Sequence, residues 1–301
     1  MFKSIIPGLV SFETQTKKIN GSYFMRNINF FKEIYKKEKF HYTLVANDDF
    51  IVPKQYDFRS EYYLKKNNFW FYERKIFFLT FKFKYNVEEK ILYFNRIFKI
   101  IPFRIGGLIP IESHLSDLIN IELFLNGLVN LRGFAFQFNK KNYCVMAPGN
   151  NGKTSFLNEI VKKGGKYICE DDLLIDFANM EVYPTANARM PKIFNRKTSS
   201  LLEKSLNNID IIIEKQKIDK LFLVQNTTTE EYETHKKNLI EFLMLNSLYF
   251  LTDNLFIKSY LFEENLTNQF LHRLCALNAF HDYEFIQIRN YNFIDFIKNL
   301  K

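Results

Sequence analysis

The segment Ala147-Pro-Gly-Asn-Asn-Gly-Lys-Thr154 constrains this chain more than any other, because it has the form [Ala/Gly]-x-x-x-x-Gly-Lys-[Ser/Thr] of a phosphate-binding loop. Its flanks are the ones such a loop requires. Tyr143-Cys-Val-Met146 before it reads as a short apolar strand. Ser155-Phe-Leu-Asn-Glu-Ile-Val-Lys162 after it reads as a helix with Phe156, Leu157, Ile160 and Val161 on one face. Strand, glycine turn and helix in that order predict an α/β domain built on a mixed sheet.

The residue types follow from what phosphates need. Gly149 and Gly152 allow the dihedrals that turn the backbone N–H groups of Gly149, Asn150, Asn151 and Gly152 inward as a cradle. The helix that starts around Lys153, Thr154 and Ser155 aims its positive end at the same anion. Lys153 can reach the β and γ oxygens, and the Thr154 hydroxyl can ligate magnesium. An ordinary glycine turn has no use for the Lys-Thr pair.

A cradle names the ligand class; the chemistry depends on acidic residues beside it. Asp171 and Asp172 lie 18 and 19 residues after Lys153, where the predicted strand Lys166-Tyr-Ile-Cys169 runs into Glu170. One helix and one strand fill that interval, so the two strands are expected to be sheet neighbours with their ends at one edge. One carboxylate would hold magnesium and the other accept a proton from an attacking hydroxyl, in an assignment the sequence leaves open. Successive strand residues point to opposite faces, so in regular β geometry only one faces the nucleotide.

Residues 1–108 read as a β-rich region, an antiparallel meander with strands at 68–73, 76–85 and 90–94, and residues 109–301 as the catalytic domain. In the second region a helix is expected over 113–130, then a hairpin of Phe134–Phe138 and Tyr143–Met146. Further strands are expected at 180–183, 218–224 and 283–288, with helices at 196–208, 230–249, 262–280 and 293–300. Asp48, Asp49 and Asp57 sit beside turns and read as solvated turn formers.

Composition removes several classes. The excess of 42 basic over 33 acidic residues is scattered in small groups and reads as solvated surface, so no nucleic-acid partner is expected. Cys144, Cys169 and Cys275 have neither metal nor disulfide-framework spacing, which fits a reducing cytoplasm. None of the five histidines has a metal-ligand spacing, and no apolar run reaches the roughly 18 residues of a membrane span. A homo-oligomer is compatible with the sequence.

Leu131-Arg-Gly-Phe134, the loop from Ala147 to Thr154, and Gly165-Lys-Tyr-Ile-Cys-Glu-Asp-Asp172 together resemble the core of the HPr kinase/phosphorylase family, within the phosphoenolpyruvate carboxykinase-like superfamily. The resemblance covers about residues 113–195. It implies a phosphate-loop kinase that uses ATP or GTP with magnesium and moves a γ-phosphoryl group to a hydroxyl of a peptide, protein or small molecule. It makes Lys153 and Thr154 phosphate and metal ligands, and Asp171 and Asp172 the metal and base candidates. Where the family has His-Gly this chain has Arg132-Gly133, so Arg132 becomes a candidate partner for a phosphate or an Asp. Arg189 and Lys192 fall where relatives turn back past the site. A nucleotide-binding regulatory or scaffold protein, and an ATPase with water as acceptor, are the competing readings.

Overall fold

The computed structural model describes residues 2–6, 8–14, 33–34, 36–100, 111–146, 153–170, 173–185, 212, 214–225, 255–278 and 284–287. Among them the chain is mixed α/β and mostly strand. Its α-helices there are α1 (Ile111–Leu125), α2 (Lys153–Lys162), α3 (Leu255–Glu263) and α4 (Thr267–Asn278). None of them is long and apolar enough to cross a membrane. The chain divides into two compact units, Met1–Ile119 with Asn254–Leu266, and Asn120–Asp253 with Thr267–Lys301.

The first unit holds β1 (Phe2–Ile6), β2 (Val10–Thr14), β3 (Glu33–Ile34), β4 (Phe40–Ala46), β5 (Phe58–Ser60), β6 (Tyr63–Lys66), β7 (Phe69–Ile76), β8 (Leu79–Asn86) and β9 (Ile91–Phe94). They form one sheet in the order β3-β1-β2-β4-β9-β8-β7-β6-β5. The expected antiparallel meander is present from β5 to β9. The sheet as a whole is mixed, because β4 runs parallel to β2 on one side and to β9 on the other. The long connections before and after β4 permit that, since parallel neighbours need more chain than a hairpin turn supplies. The stretch 76–85 is not one strand. Ile76 pairs with Leu79, which makes Phe77-Phe78 a two-residue hairpin turn.

Alternation along β8 buries Phe81, Phe83 and Tyr85 and leaves Lys82 and Lys84 between them partly exposed. Trp70 on β7 is fully buried, meets the Phe256 ring of α3 edge-on at 5.7 Å, and donates its indole N–H to Glu264 Oε1 at 2.9 Å. Lys65 Nζ lies 3.1 Å from the same oxygen. Buried His114 of α1 is ringed by Tyr63, Tyr72, Phe83 and Phe256, a structural placement that suits a histidine without metal spacing. Asp57 accepts from the Asn67 amide and Asp48 from the Arg96 amide, both as exposed turn formers.

The second unit holds β10 (Leu128–Leu131), β11 (Gly133–Phe138), β12 (Lys141–Met146), β13 (Lys166–Glu170), β14 (Leu173–Asp176), β15 (Glu181–Tyr183), β16 (Gln216–Lys217), β17 (Lys220–Gln225) and β18 (Glu284–Gln287). Four form the antiparallel sheet β10-β14-β15-β16, and five form the mixed sheet β13-β11-β12-β17-β18. The helix expected over 113–130 stops at Leu125. Gly127, at φ 86°, donates its N–H to Phe124 O as a left-handed cap, and Leu128 begins a strand. The helix expected over 262–280 is two, broken after α3 where Asn265 takes φ 54°. Cys144 and Cys169 are buried, whereas Cys275 is exposed. The helices expected at 196–208, 230–249 and 293–300 lie outside the described residues.

Candidate functional site

β11 and β12 pair from Gly133↔Met146 to Phe138↔Lys141 around Asn139-Lys140, both in the left-handed region at φ 51° and 64°. Two positive φ values are what a tight I′-type hairpin demands, and Asn at the first accepts one readily. The hairpin's base is tied down by Asn142, whose N–H donates to Asp219 Oδ2 at 2.7 Å and whose side chain donates to Lys217 O at 3.0 Å. That clamp holds β12 beside β17, to which it runs parallel from Tyr143↔Lys220 to Met146↔Leu223. Phe134, Phe136, Tyr143, Cys144, Val145 and Met146 are all fully buried, so the strand that leads into Ala147–Thr154 stands in the middle of a buried sheet. Burial pushes the Cys144 thiol well above its ordinary range, which leaves it an inert core group.

After the loop the chain enters α2 at Lys153. Phe156 of α2 lies over Phe134 at 5.1 Å and Phe136 at 5.6 Å between ring centroids, so the helix rests on β11. Its first turn contains no acidic residue, and its last carries Lys162 paired with Glu159 at 2.6 Å. The helix's own first turn therefore puts no negative charge at the positive end of its dipole, where an anion is expected. Gly164 at φ 85° stops the helix. Gly165 must also be glycine, because a Cβ there would collide with Ile160.

β13 and β12 are not neighbours as expected: β11 lies between them. One flank of β12 is taken by its hairpin partner β11 and the other by β17, so the chain leaving α2 cannot join beside β12 and pairs instead with the free flank of β11. Because β11 is antiparallel to both, β12 and β13 run in the same direction about 10 Å apart and finish at the same edge. Val145, Phe134 and Glu170 lie on one line across the three strands.

A second ladder makes the junction tighter. Phe134↔Glu170 closes the β11–β13 pair and Leu131↔Leu173 opens the β10–β14 pair. These two pairs bracket two residues on each chain, Arg132-Gly133 on one and Asp171-Asp172 on the other. Gly133 also pairs with Met146, the last described residue before the segment 147–154. A Cβ at Gly133 would meet Val145 O and Leu173 Cδ2. The glycine is what lets the three chains approach at this point.

Arg132 is half-buried at that junction and is engaged with the surrounding structure. Gly149, Asn150, Asn151, Gly152, Asp171, Asp172, Arg189 and Lys192 lie outside the described residues, as do the side chains of Lys153, Thr154 and Ser155. Among the described residues no cluster of metal-ligating side chains occurs. Two features of this edge were not singled out from sequence. Glu170, 3 % exposed, closes β13 with a buried carboxylate, signalled only by a charge ending an apolar strand. The other is the steric requirement at Gly133, which the sequence shows only as half of the Arg132-Gly133 pair and does not signal.

His41 and His272 are the remaining described histidines. His41 Nδ1 lies 2.9 Å from Ser11 Oγ, and His272 is exposed on α4. His235 and His281 lie outside the described residues. Comparison with protein-family models and with curated proteins gives no match to this chain.

Proposed function

We propose that the chain is a nucleotide-dependent kinase of the HPr-kinase-like type, transferring a γ-phosphoryl group to a hydroxyl of a peptide, protein or small molecule. The observation that carries this reading is the double bracket at the sheet edge. Met146, which precedes the phosphate loop, pairs with Gly133, and Arg132-Gly133 is bracketed with Asp171-Asp172. A phosphate cradle and a carboxylate pair, each following a strand that ends at one sheet edge, are the two halves that phosphoryl transfer requires.

In this reading the loop amides from Gly149 to Gly152, with Lys153, Ser155 and the α2 N-terminus, hold the phosphates of ATP or GTP. Thr154, Asp171 and Asp172 form an all-oxygen donor set that suits magnesium, a hard cation that would neutralise charge developing on the phosphoryl oxygens. The carboxylate not engaged with the metal accepts the acceptor's hydroxyl proton. Arg132 steadies the pair or a phosphate oxygen from the strand beside it. A reducing cytoplasm is the compartment proposed, with nucleotide and acceptor as partners and no nucleic acid.

Arg132 in place of the family histidine favours a second reading, a nucleotide-binding regulatory protein with weak or no transfer; an ATPase is the third. Calorimetry with magnesium nucleotide, run beside a phosphotransfer screen of labelled extract, decides among them. A kinase binds nucleotide and labels an acceptor, and Lys153→Ala abolishes the label. Tight binding with no labelled product would support the regulatory reading, and steady hydrolysis that no extract component redirects would support the ATPase. A protein that does not bind nucleotide sinks all three.

A further inference from the structure

The β7–β8 turn breaks a rule that most hairpins obey. Two-residue hairpin turns select Asn-Gly, Asp-Gly or Gly-rich pairs, because at least one residue needs positive φ. Here the pair is Phe77-Phe78, with Phe77 at φ 52°. For a bulky side chain that is a strained conformation, costing free energy that glycine or asparagine would avoid. The two rings gain no burial in return: Phe77 is 89 % and Phe78 87 % exposed. Strain and exposed apolar area at one point, without compensation inside the fold, indicate a contact made outside it.

The charges beside the tip say what kind. From Glu73 to Lys84 the hairpin carries Arg74, Lys75, Lys82 and Lys84 against the single acid Glu73. Lys82 donates to Phe50 O at 2.7 Å and Asp48 O at 3.1 Å, drawing the loop with Ile51, itself 87 % exposed, alongside β8. Over residues 36–100 basic side chains number fourteen and acidic eight, so the excess extends beyond the hairpin.

A tip of two aromatic rings, each presenting roughly 200 Å², falls well short of the about 800 Å² per partner of a stable protein interface. It does suit insertion between lipid headgroups, where aromatic side chains are favoured and nearby lysines and arginines are drawn to anionic lipid. We propose that the β7–β8 hairpin docks on an anionic membrane surface, with Phe77 and Phe78 inserted and the basic residues next to the tip, Arg74 and Lys75, held at the headgroups. The hairpin belongs to the first unit and the loop from Ala147 to Thr154 to the second, and the docking does not rest on the reaction assigned to that loop.

Co-sedimentation of the full chain with vesicles tests this. The wild type should pellet with phosphatidylcholine–phosphatidylserine vesicles, stay in solution with phosphatidylcholine alone, and be released by salt. The double variant Phe77→Gly/Phe78→Asn puts glycine at the position of positive φ, so it should melt no lower than wild type while its vesicle binding falls at least ~10-fold. Wild type that remains in solution with both vesicles overturns the proposal, as does equal binding to neutral lipid. So does a double variant that binds as wild type, or one whose sole change is loss of self-association in analytical ultracentrifugation.

Discussion

In the first unit the meander from β5 to β9 reverses at every strand, whereas in the second four of the five strands of the mixed sheet run the same way. The consequence is a difference in where irregular chain collects. Reversal distributes turns to both ends of a sheet, and each turn stands alone, as Phe77-Phe78 does. Co-directional strands send their connections out at one edge, and β12, β13, β17 and β18 all finish there. An edge of that kind can assemble a site from separate parts of the chain; a hairpin tip can offer only a contact.

If the comparison holds, chemistry and stability should separate between the units. Lys153→Ala should lower phosphotransfer kcat by at least ~10³-fold, the size attached to removing a cation from a phosphoryl transition state. Its melting temperature without nucleotide should match wild type, and steady-state kinetics beside thermal denaturation reads both. Trp70→Ala is the converse. It empties a fully buried ring site against Phe58, Phe256 and Tyr260 and strips Glu264 of its indole partner, so unfolding should lose about 3–5 kcal/mol in denaturant titration. Hydrogen exchange should show the loss in residues 36–100, with α2 and β11–β13 protected as before. A Trp70 variant that loosened both regions equally would break the comparison.

Gly133→Ala probes the edge from within. The added methyl meets backbone at Val145 and a side chain at Leu173, so the two pairings that meet there must shift. Overpacking of that kind costs about 1–3 kcal/mol. Nucleotide binding should weaken along with it, because Gly133 sits opposite the residue that precedes the loop. Calorimetry showing full affinity in a destabilised variant would mean that the ladder junction supports the fold without supporting the site.

The parts of this arrangement legible in the sequence were those with local chemistry. The β11–β12 hairpin was readable because a polar Asn139-Lys-Lys-Asn142 interrupts two apolar runs, and the end of α2 because glycines follow it. The insertion of β11 between β12 and β13 was not readable, since it depends on which flank of β12 is already occupied. The β7–β8 turn was hidden because its residues are apolar, and Ile76-Phe-Phe-Leu79 reads as uninterrupted strand. The end of α1 was obscured in the same way. Leu128 continues the helical apolar spacing past Gly127, although it faces a strand partner, Asp176. Period and propensity describe a segment, whereas these outcomes were set between segments.

The smallest effect expected is in acid, and it too should differ by unit. In the first unit, burial lowers the pKa of His41, helped by Lys37 and opposed by Glu13. A group that is harder to protonate when folded stabilises the fold above its unfolded pKa near 6.5, and that stability is lost as pH falls towards the folded value. In the second unit Glu181 accepts from Lys215 at 2.7 Å, which lowers its pKa, with Lys217 at 3.5 Å adding to the effect. Its contribution is present above about pH 4.5 and is lost only as pH falls through the depressed folded value. Hydrogen exchange across pH 7 to 4 should therefore show β2 and β4 loosening before β15 and β16. His41→Gln should remove the early step, and Glu181→Gln should flatten the late one. A single simultaneous onset in both regions would show that the two groups do not govern the acid response.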